Sequence, residues 1–400
     1  MFLLKSAWDS IVFHTKRSIL SILLIAIASG AILLYRGFVE YSEQGLALGF
    51  IADSGHIRVN IQGLSDAPNS KSKLLSKKDL QDLRALYKTI PTVKNYDSVL
   101  HFQGIIGTED KSAIFWASGY DNPQALGATE GMPVFADSQD MVLGKGLCEA
   151  LTVDITTEPF VNIMASIGQS GIVTGSFPVS GWLDTGIPQN DAGLVIASRS
   201  AVIDFFELED CASYNRLFLQ KDSDMPKVQA ILDSYFKEHK LHFETKNWKE
   251  LNPSWEQISG LFNTQCSVIS AILCILIFVA LTQSLSASFM ERIAEFGTME
   301  AIGLKKSSIM YMLALEVCIL SLAGIVGGML LAHLGNVVTD TFNITMVPPG
   351  YSRGYRLNFY ITLQSICRTQ LFIFLTGIIS VLYPIYTVNK RSTVQLMHYN

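Results

Sequence analysis

Charge is what this chain has least of. Only 16% of its 400 residues are Asp, Glu, Lys or Arg, where a soluble domain carries about 25%. The balance is slightly acidic, with a formal net charge of −5, so no basic field exists to gather nucleic acid. Cysteine is scarce as well: six in the whole chain do not make a disulfide scaffold. Cys266, Cys274, Cys318 and Cys367 fall in or beside apolar runs, where a thiol behaves as a small hydrophobe. Only Cys148 and Cys211 lie in polar sequence. An oxidising compartment would let them pair, though spacing alone does not establish a bridge. The signatures of catalysis are missing too. There is no G-x-x-x-x-G-K-[ST] phosphate loop, no H-E-x-x-H, no C-x-x-C and no G-x-S-x-G. The seven histidines are scattered, and the pair His239 and His242 reads as a solvated helix end. The expectation is a protein that is not an enzyme and binds no cofactor or metal.

What the chain has in quantity is hydrocarbon. Hydrophobic residues make up 49%, and the mean hydropathy is +0.31. A membrane helix needs about 20 mostly apolar residues, and four segments qualify: 18–38, 262–290, 309–334 and 363–388. The first follows Lys5, Lys16 and Arg17 and passes small residues at Ala28, Ser29 and Gly30, as a signal peptide would, but its apolar run is too long for a signal core. It reads as a retained anchor. Short-loop cations set orientation. Lys5, Lys16, Arg17, Arg292, Lys305, Lys306, Lys390 and Arg391 fall on one side, against Arg353, Arg356 and Arg368 on the other. Both termini and the 291–308 segment are therefore expected in the cytoplasm. The 39–261 segment is expected outside, with a second outside loop at 335–362 and a cytoplasmic tail at 389–400.

The 39–261 segment mixes helical and strand-like pieces. KKDLQDLRALYKT (77–89) is helical with Ser76 placed to cap it. A short helix suits 144–151, and PKVQAILDSYFKEH (226–239) is amphipathic, with Pro at its first turn. Strands are expected at 99–107, 113–120, 160–166, 171–183 and 194–198, and a flexible loop at 65–76. The fold class is thus an α-helical membrane protein with four spans (1 + 3) and a large extracytoplasmic α+β domain between spans one and two.

Four features inside or beside the spans stand out. Residues 1–17 carry an apolar stripe (Leu3, Leu4, Ala7, Trp8, Ile11, Val12) ending at Lys16 and Arg17, the pattern of a helix lying along the cytoplasmic interface. In ERIAEFGTMEAIGLKKSS (291–308), charges of both signs surround a stripe of Ile293, Phe296, Met299 and Ile302. Such a stripe suits docking into a cleft on a cytoplasmic partner. Glu316 sits two turns into the third span, where a carboxylate is either a proton site or an interior hydrogen-bonded contact; the contact is the expected role. Gly324-x-x-x-Gly328 permits close helix packing, within one chain or between two. The spans hold few charges apart from Glu316, and a path for polar solute would need more.

Taken together these residues resemble MacB/FtsX-type ABC transporter permeases. The resemblance rests on Glu291, Arg292, Glu295, Phe296, Gly297, Thr298, Ala301, Ile302 and Gly303, on Trp8 with Lys16–Arg17, on Glu316 followed by Gly324 and Gly328, and on the closing stretch from Pro384 through Lys390–Arg391 to Val394 and Leu396. In the outside segment, 54–60, 119–123 and 142–153 are similar to the lipoprotein-releasing (LolC/LolE-like) branch. The resemblance implies a MacB periplasmic-core-like domain and a bacterial inner (plasma) membrane location. It implies a coupling role for Glu291, Arg292, Glu295, Phe296, Gly297, Thr298, Ala301 and Gly303, and helix packing at Glu316, Gly324, Gly328 and Pro384. The partners implied are a cytoplasmic ATPase dimer that holds the ATP and Mg, a second permease of the same or a homologous chain, membrane lipid, and a periplasmic chaperone, adaptor or hydrolase. The activity implied is mechanical extraction or export of a lipoprotein, lipid or other hydrophobic substrate. The other activities open within the family are activation of a cell-wall hydrolase or sensor kinase, and efflux through an adaptor.

Overall fold

The computed structural model describes residues 2–63, 74–121, 130–131, 139–155, 160–167, 171–347, 352, 354–382 and 386. In chain order the elements are α1 (Phe2–Phe13), α2 (Thr15–Ser54), β1 (Ile57–Ile61), α3 (Lys77–Lys88), β2 (Val93–Gly107), β3 (Ser112–Tyr120), β4 (Glu130–Gly131), β5 (Met141–Gly144), α4 (Lys145–Leu151), β6 (Phe160–Ser166) and β7 (Val173–Asp184). They continue with α5 (Pro188–Asp191), β8 (Leu194–Ser198), α6 (Arg199–Phe205), β9 (Tyr214–Leu219), α7 (Met225–Glu238), β10 (Phe243–Asn247), α8 (Trp248–Leu251), α9 (Pro253–Glu291), α10 (Ile293–Ala301), α11 (Lys306–Phe342), β11 (Thr345–Met346), β12 (Tyr355–Arg356) and α12 (Leu363–Ser380). Two units divide the chain: residues 1–45, 257–346 and 356–400 form one, and 46–256 with 347–355 form the other.

The first unit is helical. Four of its helices are long and apolar enough to cross a membrane, with mean hydropathy of 2.4, 2.5, 2.3 and 1.3 in chain order. The 40 residues of α2 and 39 of α9 correspond to about 60 Å each, twice the hydrocarbon thickness of about 30 Å. The helices therefore run well past the apolar segments read from sequence. Small residues let α11 lie directly on α2. A Cβ added at Gly324 would stand 2.5 Å from the Ile25 Cβ, one at Gly328 2.5 Å from the Ser29 Cβ, and one at Gly327 3.0 Å from the Ala26 Cβ. The Gly-x-x-x-Gly pair thus serves packing within the chain. Ile25, Ala28, Ile32, Ile277, Leu281, Ile325 and Ile373 close a core between α2, α9, α11 and α12.

In the second unit, strand pairing closes a circuit. β2 pairs with β3, β3 with β8, β8 with β5, β5 with β7, β7 with β6, and β6 with β2 again. Six strands with alternating inward residues make a barrel, filled by Phe102, Ile106, Phe115, Leu143, Ile163, Phe177 and Val195 among others. On β3 the alternation is plain: Phe115 and Ala117 point in, Ile114 and Trp116 point out. β2 is long enough to serve two sheets. Its first half pairs with β9, which continues through β1 to β10. The helices α3 and α7 cover that extension over Leu80, Leu83, Tyr87, Val228, Leu232 and Phe236. Ser76 caps α3, forming a capping box with Asp79.

All the strands and helices expected in 77–239 are present, each within six residues of its expected bounds. Sequence reading did not find β1, β9 and β10, which build the second sheet. Cys148 and Cys211 both stand as buried thiols, with no bridge between them. Residues 65–73 of the expected flexible loop, 122–123, Pro384 and the tail from Thr387 lie outside the described residues.

Candidate coupling site

Helix α10 is short because both ends are set locally. Arg292, at φ −104°, breaks the hydrogen-bonded run of α9. At the far end Gly303 takes φ +106°. Its N–H donates to the Glu300 carbonyl, and the Leu304 N–H donates to that of Met299, each at 3.0 Å. This double closure needs a left-handed residue, which glycine adopts at no steric cost.

The apolar stripe of this helix is spent on its own chain. Ile293 is 3% exposed and Phe296 0%, packed with Ala7, Leu285, Ile309, Met312, Leu313 and Val317. Met299 is partly buried against the same cluster. Ile302 alone of the four points out, 86% exposed. The expectation that the stripe docks on a partner is therefore corrected. Period 3.6 identifies an apolar face but not which surface covers it, and here residues of α1, α9 and α11 cover it. The face left to solvent holds Glu295, Thr298, Ala301, Ile302 and Gly303, while Gly297 is buried.

Polar contacts fasten the same elements. Arg17 at the base of α2 binds Glu291 at the end of α9 through both nitrogens, at 2.7 and 3.1 Å. His14 Nδ1 lies 3.6 Å from the same carboxylate. Arg292 Nη1 donates to Ser10 Oγ at 2.6 Å and lies 4.0 Å from Glu316 Oε2; its Nε donates to Glu295 at 3.1 Å. Ser10 Oγ in turn donates to Glu316 Oε2 at 3.2 Å. Glu316 is 4% exposed and Arg292 9%, so each buried charge has its partner, as hydrocarbon demands. The contact expected of Glu316 is present. The α1 stripe divides: Ala7 is fully buried, while Trp8 and Val12 stay exposed at 56% and 55%.

A second polar group joins α2, α9 and α12 further along, and sequence reading missed it. Arg36 donates to Glu40 at 3.2 Å and to the Asn263 side-chain oxygen at 2.7 Å. Glu43 accepts from Asn263 at 2.9 Å and from Ser259 at 2.5 Å, and Ser365 donates to Glu40. Of the group's three charges only Arg36 falls inside a span read from sequence; Glu40 and Glu43 lie past the end of that span. The available signal was spacing: Arg36 and Glu40, like Ser259 and Asn263, stand four apart on one helical face. Together these contacts tie the helices of the membrane part to one another.

Residues 267–393 match the family described as FtsX-like permease C-terminal. No curated protein matches. Among solved structures, the periplasmic region of MacB from Actinobacillus actinomycetemcomitans is similar at 15% identity and a TM-score of 0.35, over 52% of this chain and 95% of that one. The extracellular domain of the noncanonic ABC-type transporter YknZ from Gram-positive bacteria is similar at 12% identity and a TM-score of 0.34, over 48% and 99%. The matched segment runs from within α9 through α12.

Proposed function

We propose that this chain is the membrane subunit of an ABC transporter in a bacterial inner membrane. It would pass the motion of a separate cytoplasmic ATPase dimer to the 39–261 domain outside, with both termini inside and a second permease beside it. The observation that carries this is the fastening of α10. Arg17–Glu291 and Ser10–Arg292–Glu316 lock it to α1, α2, α9 and α11, leaving a face of Glu295, Thr298, Ala301, Ile302 and Gly303 open for a partner. A push on that face reaches α2 and α9, each a single unbroken helix.

The cargo we propose is a lipoprotein, lipid or other hydrophobic molecule. The outward faces of α2 and α9 are hydrocarbon: Leu20, Leu23 and Ile27 on one, Val268, Ile272 and Leu276 on the other.

The test is co-reconstitution with the separate cytoplasmic ATPase proposed as its partner. I302D should abolish ATPase stimulation at unchanged thermal stability. F296A, by contrast, should destabilise the fold by about 3–5 kcal/mol because it empties a packed site. Full stimulation in I302D would overturn the assignment of this face.

A further inference from the structure

The end of α2 is closed by a buried cation. A helix leaves its last carbonyls without amide partners and carries a partial negative charge there. After Ser54, Gly55 turns the chain at φ +71°, so close to β9 that an added Cβ would stand 2.9 Å from the Arg216 Cβ. Arg216 Nη1 donates to the carbonyls of Ala52 and Asp53 at 2.8 and 3.2 Å. Its Nη2 and Nε both donate to Asp97 Oδ2, at 2.6 and 3.1 Å. Asp97 faces Arg216 across the β2–β9 ladder. The guanidinium is 1% exposed and lies 4.3 Å from the centre of the Tyr120 ring. One planar fork thus holds a helix end, strand β9 and strand β2, and β2 is the strand shared with the barrel.

A buried ion pair by itself is weak evidence of stability, since apolar packing can do as well. What packing does not supply is direction. Three fixed donors aimed at two carbonyls and a carboxylate resist movement along the helix axis as well as across it. The surrounding contacts work to the same end. The His56 N–H donates to the Leu217 carbonyl at 2.8 Å, and Phe50 stacks on the buried Trp248 at 6.3 Å.

We infer that Arg216 is the positioning residue that makes the last turn of α2, β9 and β2 move as one piece. Axial displacement of α2 then reaches the barrel strand and is not lost in the turn at Gly55. The delivered displacement rests on the function proposed above; the rigid joint does not.

Amide hydrogen exchange on the full chain in lipid nanodiscs tests the joint without an ATPase. Relative to wild type, R216K keeps the charge but loses the fork. It should speed exchange of amides 50–54 and 214–218 at least tenfold, with α3 unchanged. D97N, a milder variant, should do the same to a smaller extent. Unchanged exchange at 50–54 in both variants, or acceleration that merely matches α3, would overturn the inference. In the reconstituted complex, R216K should retain ATPase stimulation and lose substrate movement at least tenfold; retained movement would also overturn it. Failure of I302D to affect stimulation would instead strike the proposed function and leave the exchange result standing.

Discussion

Ser10 and Glu316 lie 306 residues apart in the chain and are joined by a hydrogen bond of 3.2 Å. The hydroxyl that donates to Glu316 also accepts from Arg292, so α1, the α9–α10 corner and α11 meet at one oxygen. Removing one partner of such a buried group leaves the other uncompensated. R292M should therefore lower stability by about 3–5 kcal/mol. E316Q keeps an acceptor for Ser10 and should cost only about 1 kcal/mol. Thermal unfolding in detergent, followed by tryptophan fluorescence, checks both; equal losses would refute the ordering.

Glycines on two of the long helices can be told apart by their surroundings. G328V must displace Ser29 and the α2 backbone, and overpacking of this kind costs about 1–3 kcal/mol. Gly260, in α9, has no neighbour within 4 Å of an added Cβ. G260A should be neutral or stabilising by about 0.5–1 kcal/mol, the helix preference of Ala over Gly. Denaturation midpoints of the two variants should move in opposite directions.

Stability should fall as the medium is acidified below about pH 6.5, the ordinary histidine value, through His56. Its Nδ1 accepts from the Leu219 N–H at 3.2 Å, a bond that requires an unprotonated nitrogen. Burial holds its pKa below the ordinary value, and the charge of Asp222 opposes this only in part. The unfolded chain then takes up a proton that the fold refuses. The loss begins near 6.5 and ends at the lower folded value. The difference in unfolding free energy between wild type and H56Q, followed from pH 8 to 5, should display this window. A flat difference would count against it.

The Cys148 thiol is pushed up to about 11 by burial, with Glu149 adding to the effect. At pH 8 about one molecule in a thousand would carry the thiolate. A water-soluble disulfide reagent should leave Cys148 untouched in the native protein and label it in denaturant. Rapid native labelling at this position would show that α4 opens.

Much of the architecture was legible in the chain itself. Four apolar runs announce the spans because bilayer thickness sets a minimum length. Alternation and turn residues announce β3, β6 and β8, and Ser76 with Asp79 announces the start of α3. Local rules suffice there because the apolar pattern and the turn residues lie within each segment, whichever strand it later meets. β1, β9 and β10 escaped because they carry polar residues that pairing buries, Asn60, Asn215 and Arg216 among them, and Arg58, Arg216 and Asp97 become neighbours only through the β1–β9–β2 ladders.

The candidate site divides in the same way. Composition and spacing alone determined that 291–308 would carry charges of both signs around an apolar stripe at helical spacing, and that Glu316 needs a partner. Only the tertiary structure decided that the stripe closes on Ala7 and Met312, that Ile302 is left outside, and that Arg36 joins Glu40 to Asn263. Periodicity fixes which residues share a face of a helix, but what covers that face is settled by helices brought together from distant parts of the chain.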